Sequence, residues 1–87
     1  MDEILLKKIE QKIQDNISNQ DDIKELIRSL SSIDNSKSFA LGIVVGRLYN
    51  TFFYQSKRIL KREPTKQEFE DFLKFIENKK SDLEHLW

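Results

Sequence analysis

The sequence contains no cysteine, a single proline, two glycines and one histidine. Without cysteine there are no disulfides, thiolate metal ligands or cysteine nucleophiles, and this composition is compatible with a reducing cytoplasm, where we expect the protein to act. The lone histidine, His85, has no second ligand at a spacing that suits zinc, so we expect no metal. Nothing alternates with a period of two residues, so no β-strand is predicted.

An excess of charge of one sign is also missing. Lys and Arg together number 15, as do Asp and Glu, which gives a formal net charge of +0. Bulk attraction to nucleic acid or to an anionic membrane is therefore not expected. The most apolar stretch begins at Phe39, is shorter than the roughly 20 residues that span a bilayer, and contains Arg47, a charge that is costly in lipid. We predict a soluble protein with no membrane partner.

Hydrophobic spacing predicts an all-α fold in which four helices form one domain of 87 residues. Apolar residues recur at three- and four-residue intervals over about 2–18, 21–33, 37–62 and 66–86. The third helix is the longest, and we expect a four-helix bundle in which the other three pack around it. Pro64 ends this helix, and Thr65 with Glu68 forms a capping box that starts the fourth.

The first half of the third helix, from Phe39, is apolar on nearly every side, so we expect neighbouring helices to surround it. Three small residues, Ser38, Gly42 and Gly46, recur every four positions. Such a row lets another backbone approach closely, and each glycine costs about 1 kcal/mol relative to alanine in a helix. Two interpretations stay open: close packing within the chain, which we favour, and a homodimer contact.

The second half of the third helix carries a row of polar side chains that helical geometry places on one face. Asn50, Thr51, Tyr54 and Arg58 follow Arg47 by three, four, seven and eleven positions. We call these five residues the Arg47 row. Arginine can bind a carboxylate or phosphate with two parallel hydrogen bonds. The row therefore indicates ligand or partner recognition, unless Arg47 pairs with a carboxylate of the first or second helix.

Four cations near the end of the same helix form what we call the basic cluster: Lys57, Arg58, Lys61 and Arg62. One interpretation is structural, because cations stabilise a helix C-terminus and the fourth helix offers Glu68, Glu70 and Asp71. The other is an anion-binding surface for phosphate, an acidic partner or nucleic acid.

No catalytic pattern is present. Adjacent acids such as Asp21–Asp22 are explained by helix starts, and no nucleophile-elbow glycine pattern occurs. We expect no enzyme and no cofactor. At the end of the chain, Trp87 has the helical phase of Phe69, so we predict that it packs into the core.

The segments FALGIVVGRLYN (39–50) and REPTKQEFEDFL (62–73) resemble a small helical domain of ammonia-oxidising archaea, which occurs alone or as an output module of signalling proteins. This resemblance covers about residues 39–75 and implies a signalling or interaction module without assigned catalytic residues. We therefore expect a non-enzymatic protein-interaction or regulatory domain, with a homodimer as an open option. The alternatives are a small nucleic-acid-binding protein that uses the basic cluster, and an anion-ligand sensor centred on Arg47.

Overall fold

The computed structural model describes residues 1–29 and 35–84, in which every regular element is a helix. The helices are α1 (Glu3–Ser18), α2 (Gln20–Ser29), α3 (Ser36–Leu60) and α4 (Lys66–Glu84). The predicted all-α architecture with a long third helix is confirmed. The predicted ends of the second and fourth helices, at residues 33 and 86, lie outside the described residues, as do His85 and Trp87.

Asn19 alone separates α1 from α2. Its backbone N–H donates to the carbonyl of Asp15 at 3.0 Å, and its own carbonyl accepts from the N–H of Ile23 at 3.3 Å. Both bonds join residues four apart, as in a continuous α-helix. The predicted stop after α1 is therefore a bend and not a reversal, and α1 and α2 together form one arm that runs beside α3. Because the last turns of α2 and the first turn of α3 border one shallow depression, this arm and α3 are antiparallel.

Local features define both ends of α3 and the start of α4. Asn35 is its N-cap, since the side-chain oxygen accepts from the N–H of Ser38 at 3.0 Å. The helix ends at Leu60 because Lys61 adopts a left-handed backbone, with φ 61°. Thr65 and Glu68 form the predicted capping box: each side chain accepts the backbone N–H of the other, at 3.2 and 2.8 Å.

The core lies where α1 and α4 meet α3, and α3 contacts every other helix. Its buried members come from all four helices: Leu5, Ile9, Ile13, Ile23, Val44, Leu48, Phe52, Phe72 and Leu83. Between α3 and α4 the contact is aromatic. The rings of Phe52 and Phe72 stack with centroids 4.5 Å apart, and Tyr49 packs at 6.0 Å from Phe69. These four side chains form the aromatic seam that holds α4 on α3.

The first half of α3 is not surrounded by other helices, contrary to the sequence-based expectation. Only Ala40 and Val44 are fully buried there, and Phe39 is 38% exposed. Ser38, Gly42 and Gly46 are exposed, and a Cβ added at either glycine would meet no atom of the described residues within 4 Å. Among the described residues, the favoured interpretation, close packing within the chain at these small residues, is therefore not borne out. A homodimer contact at this face stays a prediction.

Replacing Phe52 with alanine should strongly destabilise the fold, because the side chain is 1% exposed and stacks on Phe72. We expect a loss of about 3–5 kcal/mol in the free energy of unfolding, measured by urea unfolding with circular dichroism. Leu73→Ala is the matched control, since Leu73 is 51% exposed and should cost less than about 1 kcal/mol. Equal losses in both variants would contradict this account of the core.

Gly46→Ala should stabilise the isolated chain by up to about 1 kcal/mol, because alanine has the higher helix propensity and no described atom opposes its Cβ. Urea unfolding at low protein concentration measures the change. Light scattering of Gly46→Leu then tests the dimer. If a homodimer forms through this face, the larger side chain should disrupt it and lower the measured molar mass. An unchanged molar mass argues against that interface.

Candidate functional site

An open groove of about 1110 Å³ runs between α1 and α3. We call it the α1–α3 groove. From α1 it is lined by Lys8, Gln11, Lys12 and Asp15. From α3 it is lined by Arg47, Asn50, Thr51, Phe53, Tyr54, Gln55, Lys57 and Arg58. The structure thus brings all five residues of the Arg47 row to one surface and adds a second wall from α1.

The α1 wall follows from the amphipathic pattern of that helix. Ile9 and Ile13 are buried in the core, and Lys8 and Lys12 each precede one of them by one position. One position along an α-helix is a rotation of about 100°, so both lysines lie beside the buried face, and both border the groove. Sequence reasoning missed them, although their four-residue spacing beside the apolar stripe was visible.

The groove is cationic. Five of its lining side chains carry positive charge: Lys8, Lys12, Arg47, Lys57 and Arg58. Asp15 is the one carboxylate among the lining residues. Within the described residues, the salt bridges join Arg62 to Glu68 and Lys80 to Glu84, and neither involves a groove cation. The alternative in which Arg47 pairs with a carboxylate of α1 or α2 is therefore not seen among these residues.

Several groove side chains already have internal partners that shape what a ligand meets. The Asp15 carboxylate accepts a hydrogen bond from the Gln11 amide at 3.2 Å. The Lys57 ammonium lies 5.6 Å from the centre of the Phe53 ring, a cation–π geometry. Tyr54 projects outward and is 64% exposed. A ligand would thus meet cations, amide and hydroxyl groups, and an exposed aromatic ring.

The basic cluster does not form one surface. Arg62 pairs with Glu68 through two bonds, Nη1 to Oε1 at 2.6 Å and Nη2 to Oε2 at 3.3 Å. Lys61 is the C-cap of α3, whereas Lys57 and Arg58 line the groove. Of the two interpretations of the cluster, pairing with the fourth helix therefore applies to Arg62. Two of the other three cations line the groove instead.

The Arg62 pair changes the protonation behaviour of Glu68. The hydrogen bond from the guanidinium, followed by the bond from the backbone N–H of Thr65, lowers the pKa of Glu68 from 4.5 to about 2. The same carboxylate raises the pKa of the Arg62 guanidinium above its usual value. Glu68 therefore stays ionised well into the acidic range, and the α3–α4 connection keeps both its ion pair and its capping box.

Two further properties concern the described part of the chain. It contains no group of three or more His, Cys, Asp or Glu side chains that could hold a metal ion. Within it, each helix is too short or too polar to cross a lipid bilayer.

Comparisons with known proteins do not place the chain in a family. No family model, no curated protein and no solved structure matches it.

Glu68→Gln should remove one contribution to the free energy of unfolding that is lost at acidic pH. Because the folded-state pKa lies below the ordinary value, the stabilisation is present above about pH 4.5 and is lost as the pH falls towards about 2. Urea unfolding across this range should show a smaller pH dependence in Glu68→Gln than in the wild type. Glu70→Gln, at an exposed neighbouring position, is the control. The same pH dependence in the wild type and Glu68→Gln would rule out the Arg62 pair as its source.

Proposed function

We propose that the protein is a non-enzymatic interaction domain that binds an acidic segment of another protein in the α1–α3 groove. The observation that carries this proposal is the charge of the groove: five cations face it, one carboxylate lines it, and none of the five cations is in a salt bridge among the described residues. Cations without an internal counter-charge are available to a partner of opposite sign.

The dimensions of the groove support a macromolecular partner over a small anion. Arg47 and Arg58 lie eleven residues apart on α3, which corresponds to about 16 Å along the helix axis. The two backbone positions are thus spaced for a ligand that carries several anionic groups. Small-molecule sites also enclose most of their ligand, whereas this groove is open along its length.

The distribution of charge supports an acidic protein segment over nucleic acid. The whole chain has a formal net charge of +0, so the surface outside the cationic groove carries a net negative charge. A nucleic-acid duplex that extended beyond the groove would be repelled there, and nucleic-acid-binding domains normally carry a clear positive excess. A short acidic segment can stay within the groove.

A regulatory role in the cytoplasm is part of the proposal. It is supported by the resemblance of residues 39–75 to a helical module of archaeal signalling proteins, and by a composition without cysteine. In such a role the domain would report on, or recruit, a partner through reversible electrostatic contacts, whose strength depends on the ionic strength of the solution.

Arg47→Ala and Arg58→Ala should each weaken binding of fluorescent poly-L-glutamate by about fivefold to tenfold, because each removes a charge-assisted contact. Fluorescence anisotropy at low salt measures the dissociation constant, and affinity should fall as salt rises. Lys24→Ala and Lys66→Ala are matched controls, since these exposed cations lie outside the groove and should leave the affinity nearly unchanged.

Two competing ligands complete the experiment. A DNA or RNA oligonucleotide that binds more tightly than poly-L-glutamate, with the same dependence on Arg47, would replace the proposal with nucleic-acid binding. Inorganic phosphate that displaces poly-L-glutamate at micromolar concentration would instead favour an anion sensor. Equal effects of groove and control variants would show that the groove is not the binding surface.

A further inference from the structure

We infer that the occupant of the α1–α3 groove is an acidic amphipathic helix, which completes the bundle by packing on the flank of α1 and α3 opposite α4. This inference rests on the proposed function and adds the conformation of the partner segment to its charge. It follows from three features: the position of α4, the length of the groove and the arrangement of its side chains.

α4 covers one flank of the α1–α3 pair and leaves the other open. On α3, Phe52 and Tyr49 face α4 through the aromatic seam. On α1, Lys7 and Glu10 border the same depression as Lys79 of α4. Gln11 borders both depressions, and Phe53 of the groove stacks on Tyr49 of the seam, so the groove adjoins the side that α4 covers. Its other residues on α1, which are Lys8, Lys12 and Asp15, do not border the depression next to Lys79. The pair therefore presents a second helix-sized flank, in the described residues, that no helix of the chain occupies.

The length of the open flank suits about three helical turns. The part of α3 from Arg47 to Arg58 spans about 16 Å, and the part of α1 from Lys8 to Asp15 spans about 10 Å. Two adjacent helices form a furrow in which a third packs at an interaxial distance of about 8–10 Å. An extended peptide would cross this flank in about five residues and would leave fewer side chains for contact with both walls.

The side chains suit a helix with one apolar stripe between two acidic edges. Lys8 and Lys12 lie on one wall, and Arg47 and Arg58 on the other. Tyr54 lies between the two arginines in the sequence, and its side chain is exposed. Its ring can contact an apolar side chain of the bound helix. The aliphatic stems of the lysines add apolar surface while their ammonium groups reach carboxylates. Charge complementarity therefore selects an acidic helix, which is a recognised mode of helix-in-groove binding.

The test compares three fluorescent peptides of identical composition, rich in glutamate and leucine. The first forms an amphipathic helix and carries its one proline at the end. The second is a scrambled sequence with the same charge but no apolar stripe. The third is the first peptide with two residues exchanged, so that the proline moves to the centre. Anisotropy measures each affinity for the wild-type protein. We expect the amphipathic peptide to bind at least about tenfold more tightly than the other two, and its circular dichroism to gain helix on binding.

Variants of the protein locate the bound helix. Tyr54→Ala should weaken binding of the amphipathic peptide severalfold but leave binding of the scrambled peptide unchanged, because only the former places apolar side chains on the ring. Leu26→Ala is the control, since Leu26 is 50% exposed on α2 and lies outside the groove. Each variant is first checked for the helical circular dichroism spectrum of the wild type.

The outcomes separate this inference from the proposed function. Equal affinity for all three peptides, with Arg47→Ala weakening each, would overturn the helical occupant and leave the acidic-segment proposal standing. Failure of every peptide and of poly-L-glutamate to bind would overturn both. Light scattering adds one further outcome: self-association that Arg47→Glu abolishes would assign the groove to a second copy of this chain and overturn the inference.

Discussion

The rest of the structure depends on how one stripe of buried residues on α3 packs against the neighbouring helices. The fully buried residues of this helix recur every four positions: Ala40, Val44, Leu48, Phe52 and Ser56. Four residues turn an α-helix by about 40° more than one full revolution, so the buried face moves around α3 along its length. The exposed face moves with it. Near the N-terminus it carries the two glycines, and beyond Arg47 it carries the groove. One spacing in the sequence therefore sets both surfaces.

The parts of this fold that could be predicted from sequence are those set by near neighbours in the chain. The pair Thr65 and Glu68 specifies a helix start through contacts three residues apart, and the Arg47 row needs only helical periodicity. The environment of Gly42 and Gly46 could not be predicted, because it depends on which flank α2 covers. The buried face of α1 also includes a polar residue, which hydrophobic spacing does not predict. Asn16 is completely buried although it is polar. Its side-chain N–H donates to the carbonyl of Lys12 at 2.8 Å, while its Oδ1 has no hydrogen-bond partner among the described residues.

The same distinction, between near neighbours in the chain and contacts between helices, decides which parts of the candidate site could be predicted. Its α3 wall could be predicted because the five residues of the Arg47 row share one helix. The α1 wall, with Lys8 and Lys12, required knowledge that α1 lies along that face. The basic cluster was misleading because its four cations are close in sequence but point to different partners. The Arg62–Glu68 pair takes one cation for the α3–α4 connection, and Lys57 and Arg58 remain for the groove.

The winding of the buried stripe also bears on how this protein can change over evolutionary time. Gly42 and Arg58 lie sixteen residues apart on one helix, or about 24 Å, and they face different surroundings. Substitutions separated by more than about 10 Å, with no shared neighbours, usually have additive effects. Selection can therefore modify the glycine face at Gly42 and the groove at Arg58 independently. Gly46 and Arg47 are adjacent in the chain, so changes where the two faces meet affect both surfaces.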